Sequence, residues 1–331
     1  MNKSKSITPL LTNDQLLKMY RSMVILRTLD QRLWAMNRQG KAAIMASSQG
    51  HEAAQIASVE ALQKGKDKFY TYYRDLGVML SLGMTPTEIM LGFLAKAGEP
   101  LSGARQFPTH GAYPKLGLIN LSNVVGTQIT QAVGASLAAE MRGEDSVTIT
   151  YFGDGATSQG ECHEAMNFAG IHQLPIIFFC ENNKYATSIP LKKQMAAKNV
   201  AERAAGYGIL GKSIDGCDIS SVFSTVQEAA HRARSGLGPT LIDAQVERFL
   251  PHTSDDDDTR YRTREELELS YKRDPIVLLR NQLEANTTLT PKIQADIEKE
   301  AKLIINEATQ NAEAAPYVET SEFNNHVYST N

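Results

Sequence analysis

Apolar residues recur at helical spacing from Asn13 to Arg38: Leu16, Met19, Tyr20, Met23, Leu26, Leu29, Leu33 and Trp34. Gly40 closes the pattern, so the segment predicts one long amphipathic helix. A second helical stretch runs from about His51 to Gln63 and stops near Gly65. Thr85-Pro86-Thr87-Glu88 has capping-box spacing with proline at the first helical position, and predicts a helix reaching about Lys96. The periodicity then changes. Val147–Phe152, Pro175–Glu181 and Pro239–Glu247 read as buried strands, and Thr157–Ala169 reads as a helix between the first two. Short apolar strands separated by helices predict an α/β fold with a doubly wound, mostly parallel sheet flanked by helices. Ligands of such sheets sit at the carboxyl ends of strands, which points to the loops after Phe152 and Glu181.

Leu250–Thr259 breaks the pattern: it is proline-led, polar and acidic, and predicts a loop. Helical stretches follow at about Thr263–Gln282 and Pro291–Ala312. No internal repeat or linker-like segment appears. The expected organisation is an N-terminal helical arm (1–40), an α/β domain (41–262) and a helical C-terminal extension (263–331), forming one structural domain overall.

Composition narrows the class. At 331 residues the chain can bury a substantial core, and 42% hydrophobic with 21% charged residues is ordinary for a globular protein. A net charge of −3 gives no basic surface for nucleic acid. The polar N-terminus shows no signal peptide, and no apolar stretch is long enough to span a bilayer, so a cytoplasmic location is expected. The three cysteines, Cys162, Cys180 and Cys217, are too widely spaced for a metal pair and are expected to be reduced thiols.

The chemistry concentrates in Gly153-Asp154-Gly155 after one buried strand and Asn182-Asn183 after the next. A glycine turn lets backbone approach a ligand, and the following helix offers free N–H groups and a positive dipole end to phosphate. Asp154 and Asn183 supply hard oxygens at adjacent strand ends, which suits magnesium on a diphosphate. Gly-Asp-Gly alone would be a plain turn; the strand, turn, helix, strand and paired asparagines together are specific.

That combination resembles the thiamine-diphosphate motif, in which the two elements stand about two dozen residues apart. The surrounding stretches resemble the alpha subunits of 2-oxo acid dehydrogenases: GHEAA (Gly50–Ala54), YYRDLGV (Tyr72–Val78), TQITQAVGAS (Thr127–Ser136), GDGATSQGECHEAMNFA (Gly153–Ala169), PIIFFCENNKYA (Pro175–Ala186) and HTSDDDDTRYR (His252–Arg262). The similarity covers roughly residues 13–285. The RQFPTH stretch (Arg105–His110) and the loop after His252 resemble the branched-chain, 2-oxoisovalerate type.

The resemblance implies thiamine diphosphate and magnesium, with Asp154, Asn183 and the Tyr185 carbonyl as metal ligands. It implies Arg74, the Gly155 and Ala156 backbone and His252 on the diphosphate, with Tyr72, Tyr73, Gly153 and Ala186 lining the site. Asn123, Val124 and Val125 match the aminopyrimidine segment, Val125 supporting the bent cofactor. Substrate-facing positions match Ile44, Tyr73, Gln106, Phe107, Pro108 and Thr109. A potassium site of some relatives matches Ser122, Val124, Thr127 and Gln128. His252 is the expected catalytic residue, and the neighbouring aspartates are expected to raise its proton affinity. Asp255–Asp258 repel one another, so the loop is expected to be mobile until it closes over the diphosphate.

The implied reaction is oxidative decarboxylation of branched 2-oxo acids with reductive acylation of a lipoyl group on an acyltransferase core. The implied assembly is an alpha2-beta2 heterotetramer, since the glutamate that activates the aminopyrimidine belongs to the beta subunit. In Thr127–Arg142 the small residues Ala132, Gly134, Ala135, Ala138 and Ala139 fit a closely approaching backbone, from this chain or from another. Three positions depart from the family. Thr187 replaces a frequent aliphatic residue. Thr253 follows the histidine where animal relatives carry a phosphorylated serine. Glu181 stands where some relatives place an arginine near the phosphates. The alternatives are a pyruvate or acetoin dehydrogenase alpha subunit, a non-catalytic binding subunit, and an unrelated nucleotide-binding enzyme. The last lacks any GxGxxG or P-loop signature here.

Overall fold

The computed structural model describes residues 11–121 and 124–325. Helix α1 (Asn13–Arg38) starts at Thr12 through a reciprocal capping box with Gln15, and its apolar stripe is buried. Helix α2 (Glu52–Glu60) is buried along almost its whole length. Strand β1 (Lys68–Thr71) leads into α3 (Leu76–Leu82), and α4 (Pro86–Phe93) begins at the expected Thr85–Glu88 capping box. Strands β2 (Gly111–Tyr113) and β3 (Leu118–Leu121) precede α5 (Thr127–Met141). Strand β4 (Thr148–Gly153), helix α6 (Gly160–His172) and strand β5 (Ile176–Asn182) form the predicted alternation. A short hairpin, β6 (Tyr185–Ala186) with β7 (Ile189–Pro190), follows. Then come β8 (Leu210–Asp215), α7 (Ile219–Arg234) and β9 (Thr240–Gln245). The chain continues through α8 (Arg264–Tyr271), α9 (Pro275–Ala285) and α10 (Pro291–Ala314).

The main sheet has seven strands in the order β2-β3-β1-β4-β5-β9-β8, and only the β2–β3 pair is antiparallel. Strand alternation splits β5 between two cores. Ile177 and Phe179 join the face covered by α1–α4, α7, α9 and α10. Ile176, Phe178 and Cys180 join the face covered by α5 and α6. This is the doubly wound α/β arrangement, buried on both faces as parallel sheets require. The three cysteines are free and buried. Among the described residues no helix is long and apolar enough to cross a membrane.

Two sequence expectations change. The helix expected at Thr157–Ala169 starts at Gly160, because Asp154–Ser158 forms a separate 3-10 turn in which Thr157 Oγ1 donates to the Asp154 carbonyl at 2.7 Å. The helix expected at Thr263–Gln282 is two. Pro275 has no N–H to donate and disfavours helical backbone at Asp274, which instead caps α9 by accepting from Ile276 N at 3.0 Å.

Candidate active-site cleft

The carboxyl ends of β1, β4 and β5 stand side by side, with Gly153 level with Glu181. A cleft of about 730 Å³, open to solvent, lies over them. Tyr72, Tyr73 and Arg74 line it from β1, Gly153, Gly155 and Ala156 from β4, and Asn183, Tyr185, Ala186 and Thr187 from β5 and its hairpin. Val124, Val125 and Gln128 close one side and His252 another. Asn123 and Ser122 lie outside the described residues.

Asp154 is fully buried beneath the Gly153–Gly155 turn. Its Oδ2 accepts from Gln194 Nε2 at 2.8 Å, while its Oδ1 has no hydrogen-bond partner. Burial raises its pKa to about 6. A carboxylate oxygen kept from both water and donors is a costly arrangement that a cation would relieve. The paired asparagines divide by strand alternation. Asn182 turns toward β9 and donates to Asp243 Oδ1 at 2.9 Å, whereas Asn183 lines the cleft and accepts from Tyr185 N at 3.2 Å.

Arg74 is 1% exposed. Its Nη1 donates to the Ser47 carbonyl at 2.7 Å and its Nη2 to the His252 carbonyl at 3.1 Å, leaving Nε buried and unpartnered. Nη2 also lies 3.4 Å from His252 Nδ1. A guanidinium only donates, so Nδ1 is the acceptor and the proton of the neutral ring sits on Nε2. The expected rise in His252 proton affinity is not found. Burial, then the charges of Arg74 and Arg248, lower its pKa to about 3. The nearby aspartates cannot reverse this. Asp256 spends its carboxylate on the His252 backbone N–H at 2.9 Å and on the Tyr261 hydroxyl. The same loop is tied at Ser254, whose N–H donates to the Met45 carbonyl at 2.9 Å.

Glu181 does not reach the cleft. It lies fully buried behind it, where its Oε2 meets His51 Nδ1 at 2.5 Å, Gln55 Nε2 at 3.0 Å and the Tyr72 hydroxyl at 3.1 Å. Burial and the Glu181 charge push Asp75 well above the usual carboxyl range. Burial also acts on Glu181, but the hydrogen bonds from His51, Asp75 and Gln55 outweigh it and hold its pKa low.

A second pocket of about 680 Å³ adjoins the cleft, sharing Tyr73 and His252. Ile44, Phe107, Pro108 and Thr109 line it; Gln106 is exposed and is not among its lining residues. Its wall also includes Met45, Ala46, Phe93 and His110, which sequence reasoning missed because they come from two separate loops and a helix end. Arg248 was missed too. It is 1% exposed and makes no ion pair among the described residues; instead it lies over the Tyr185 ring at 5.4 Å and donates to the Thr187 carbonyl and the Tyr261 hydroxyl. It follows β9 between Glu247 and Phe249, where the sequence gives no sign that it is buried.

Of the potassium positions, Gln128 donates to the Tyr151 carbonyl at 2.9 Å, and Thr127 N–H donates to the Val124 carbonyl at 3.2 Å.

Comparison with known proteins agrees with this geometry. The chain is 44% identical over 318 residues to the 2-oxoisovalerate dehydrogenase subunit alpha of Bacillus subtilis, covering 96% of both chains. It is 37% identical to the 3-methyl-2-oxobutanoate dehydrogenase subunit alpha of Mycobacterium tuberculosis, covering 94% of this chain and 82% of that one. It is 38% identical to the pyruvate dehydrogenase E1 component subunit alpha of Bacillus cereus, covering 95% and 82%. The family model for the dehydrogenase E1 component matches residues 20–321, and the chain belongs to that family.

Proposed function

We propose that this chain is the diphosphate-holding alpha subunit of a branched-chain 2-oxo acid dehydrogenase. The family implies thiamine diphosphate. The residues fit that group: Arg74, whose buried Nε is unpartnered among the described residues, lines the cleft, and Asp154, whose buried Oδ1 is likewise unpartnered, lies beneath the Gly153–Gly155 turn that lines it. Asp154, Asn183 and the Tyr185 carbonyl would hold magnesium. A single carboxylate is the usual protein share when phosphates complete the shell. Arg74, His252 Nε2 and the Gly155–Ala156 backbone would hold the diphosphate, with Asn123, Val124 and Val125 along the ring. Potassium at Ser122, Val124, Thr127 and Gln128 belongs to the same proposal.

Bound thiamine diphosphate supplies the electron sink that lets a 2-oxo acid lose carbon dioxide. The chain's own part is placement. Tyr73 packs edge-on against Tyr72 and His252, at 5.1 and 6.0 Å between ring centroids, and stands between the two pockets. Neutral His252 has one N–H, on Nε2, which can hydrogen-bond the diphosphate; with its pKa near 3 it suits holding that group as a donor rather than exchanging protons. The apolar second pocket suits a branched side chain, and the acyl product would pass to the lipoyl group of an acyltransferase core. The observation that carries the reading is the Asp154 oxygen with nothing to bind.

A second chain completes the site in this proposal, as an alpha2-beta2 heterotetramer. A Cβ on Gly134 would meet nothing within 4 Å, so packing within this chain does not explain the glycine. Val124 and Val125, just before the same helix, are 65% and 44% exposed. The division into 1–40, 41–262 and 263–331 is kept as a proposal; α1 ends at Arg38 and α8 begins at Arg264. The cytoplasmic location is part of it as well.

The test is turnover of a substrate panel by the assembled complex. One extra buried methylene is worth roughly 1–3 kcal/mol, so 2-oxoisovalerate should exceed pyruvate in kcat/KM by about tenfold or more. Faster turnover of pyruvate at equal low concentration would favour the pyruvate dehydrogenase reading instead.

A further inference from the structure

Arg74 is oriented by a strap that a distant helix holds in place. Asp30 lies on α1, four residues beyond Leu26 and beside Leu29, so it belongs to the buried stripe of that helix. It is 0% exposed. Its Oδ1 accepts from Ser47 Oγ at 2.7 Å and from Gln49 Nε2 at 2.9 Å, and its Oδ2 accepts from Ser48 N at 2.7 Å. Among the described residues no ion pair compensates it. Arg27, whose charge acts on it, spends its guanidinium on Glu52 and Asp274. A lone carboxyl group is expensive to bury, so its retention calls for a reason other than stability.

The strap it holds reaches Arg74 twice. The Ser47 carbonyl accepts Arg74 Nη1 at 2.7 Å, and Ser48 Oγ donates to the Arg74 carbonyl at 2.6 Å. With the second terminal nitrogen on the His252 carbonyl, the guanidinium plane is set, and Nε and the second N–H of Nη1 are left for a ligand. We infer that Asp30 is a positioning residue for the diphosphate, acting through the Ser47–Gln49 strap on Arg74. The inference rests on the proposed reading of the cleft. Removing the carboxylate would leave the Ser47 hydroxyl, the Ser48 N–H and the Gln49 amide buried without their acceptor, and the strap would shift to find others.

A double-mutant cycle tests this in the assembled two-chain enzyme. Thiamine diphosphate binding is read by calorimetry with magnesium, and inorganic pyrophosphate is titrated as a competitor. Asp30→Ala should weaken both ligands tenfold or more, while the oxo acid KM, read at saturating cofactor, moves less than twofold. Arg74→Ala should weaken both at least as much, and the double variant should be no worse than Arg74→Ala. Additive losses, or an Asp30→Ala enzyme with unchanged ligand affinities, would overturn the positioning role. An Arg74→Ala enzyme that binds both ligands normally would overturn the reading of the cleft itself. If Asp30→Ala does not assemble, Asp30→Asn runs the same cycle. It keeps the size and one acceptor oxygen, and it should weaken both ligands at least threefold; no change would refute the role.

Discussion

Gly155 separates the two loops that would share a magnesium ion. A Cβ built on it lies 2.8 Å from Ala186 Cβ and 3.3 Å from Ala186 Cα. Carbon atoms pack best at about 3.5–4.0 Å, so Gly155→Ala forces the Asp154 turn and the Tyr185–Pro190 hairpin apart by about 1 Å. Overpacking of this size costs about 1–3 kcal/mol. The backbone at Gly155 lies outside the left-handed region, so steric overlap is the whole effect. Magnesium tolerates little departure from octahedral geometry at about 2.0–2.1 Å. If the displacement falls on the metal donors, each 1.4 kcal/mol is about a tenfold loss of affinity, and ten- to hundredfold weaker cofactor binding follows. The assay is calorimetric titration of thiamine diphosphate with magnesium into the assembled enzyme, beside urea unfolding of the same variant. Gly160→Ala is the control, since its added Cβ meets nothing within 4 Å. It should change stability by less than about 0.5 kcal/mol and leave binding alone. Wild-type cofactor affinity in Gly155→Ala would refute the argument that the turn and the hairpin must touch.

Other consequences can be measured separately. Asp154→Ala should abolish metal-dependent cofactor binding with the partner chain present, and undiminished binding would remove Asp154 from the metal site. His252 titrates at about 3 in the fold against 6.5 ordinarily, so the unfolded chain binds the extra proton between those values. Its contribution is therefore fully present above about 6.5 and is lost as pH falls toward 3. His252→Asn should lose melting temperature less steeply than the parent between pH 6.5 and 4, and parallel curves would contradict the neutral assignment. The purified chain should not decarboxylate 2-oxoisovalerate with an artificial electron acceptor until the partner chain is added; full activity alone would overturn the two-chain site.

The sequence by itself determined whatever is local. Apolar spacing marked α1, the Thr85–Glu88 capping box marked the start of α4, and Val147–Phe152 and Pro175–Glu181 read as buried strands. Because a parallel sheet places its ligand loops at strand ends, the sequence alone sets Asp154 and Asn183 at adjacent strand ends. Strands β1 and β8 were not legible. KFYT is too short to show a period, and LGKSID lies on a sheet edge where burial does not enforce alternation. Tertiary structure decided the electrostatics. Four aspartates next to His252 in sequence suggested a basic imidazole, yet the fold points Asp256 at the backbone and sets Arg74 and Arg248 against the ring. Asp30 and Arg248 belong to no motif read from the sequence, and Glu181 lies in one without reaching the cleft; each becomes meaningful only once burial removes water and leaves its partners countable. Sequence spacing carries local geometry, whereas charge energies depend on through-space distance and desolvation, which only the folded chain defines.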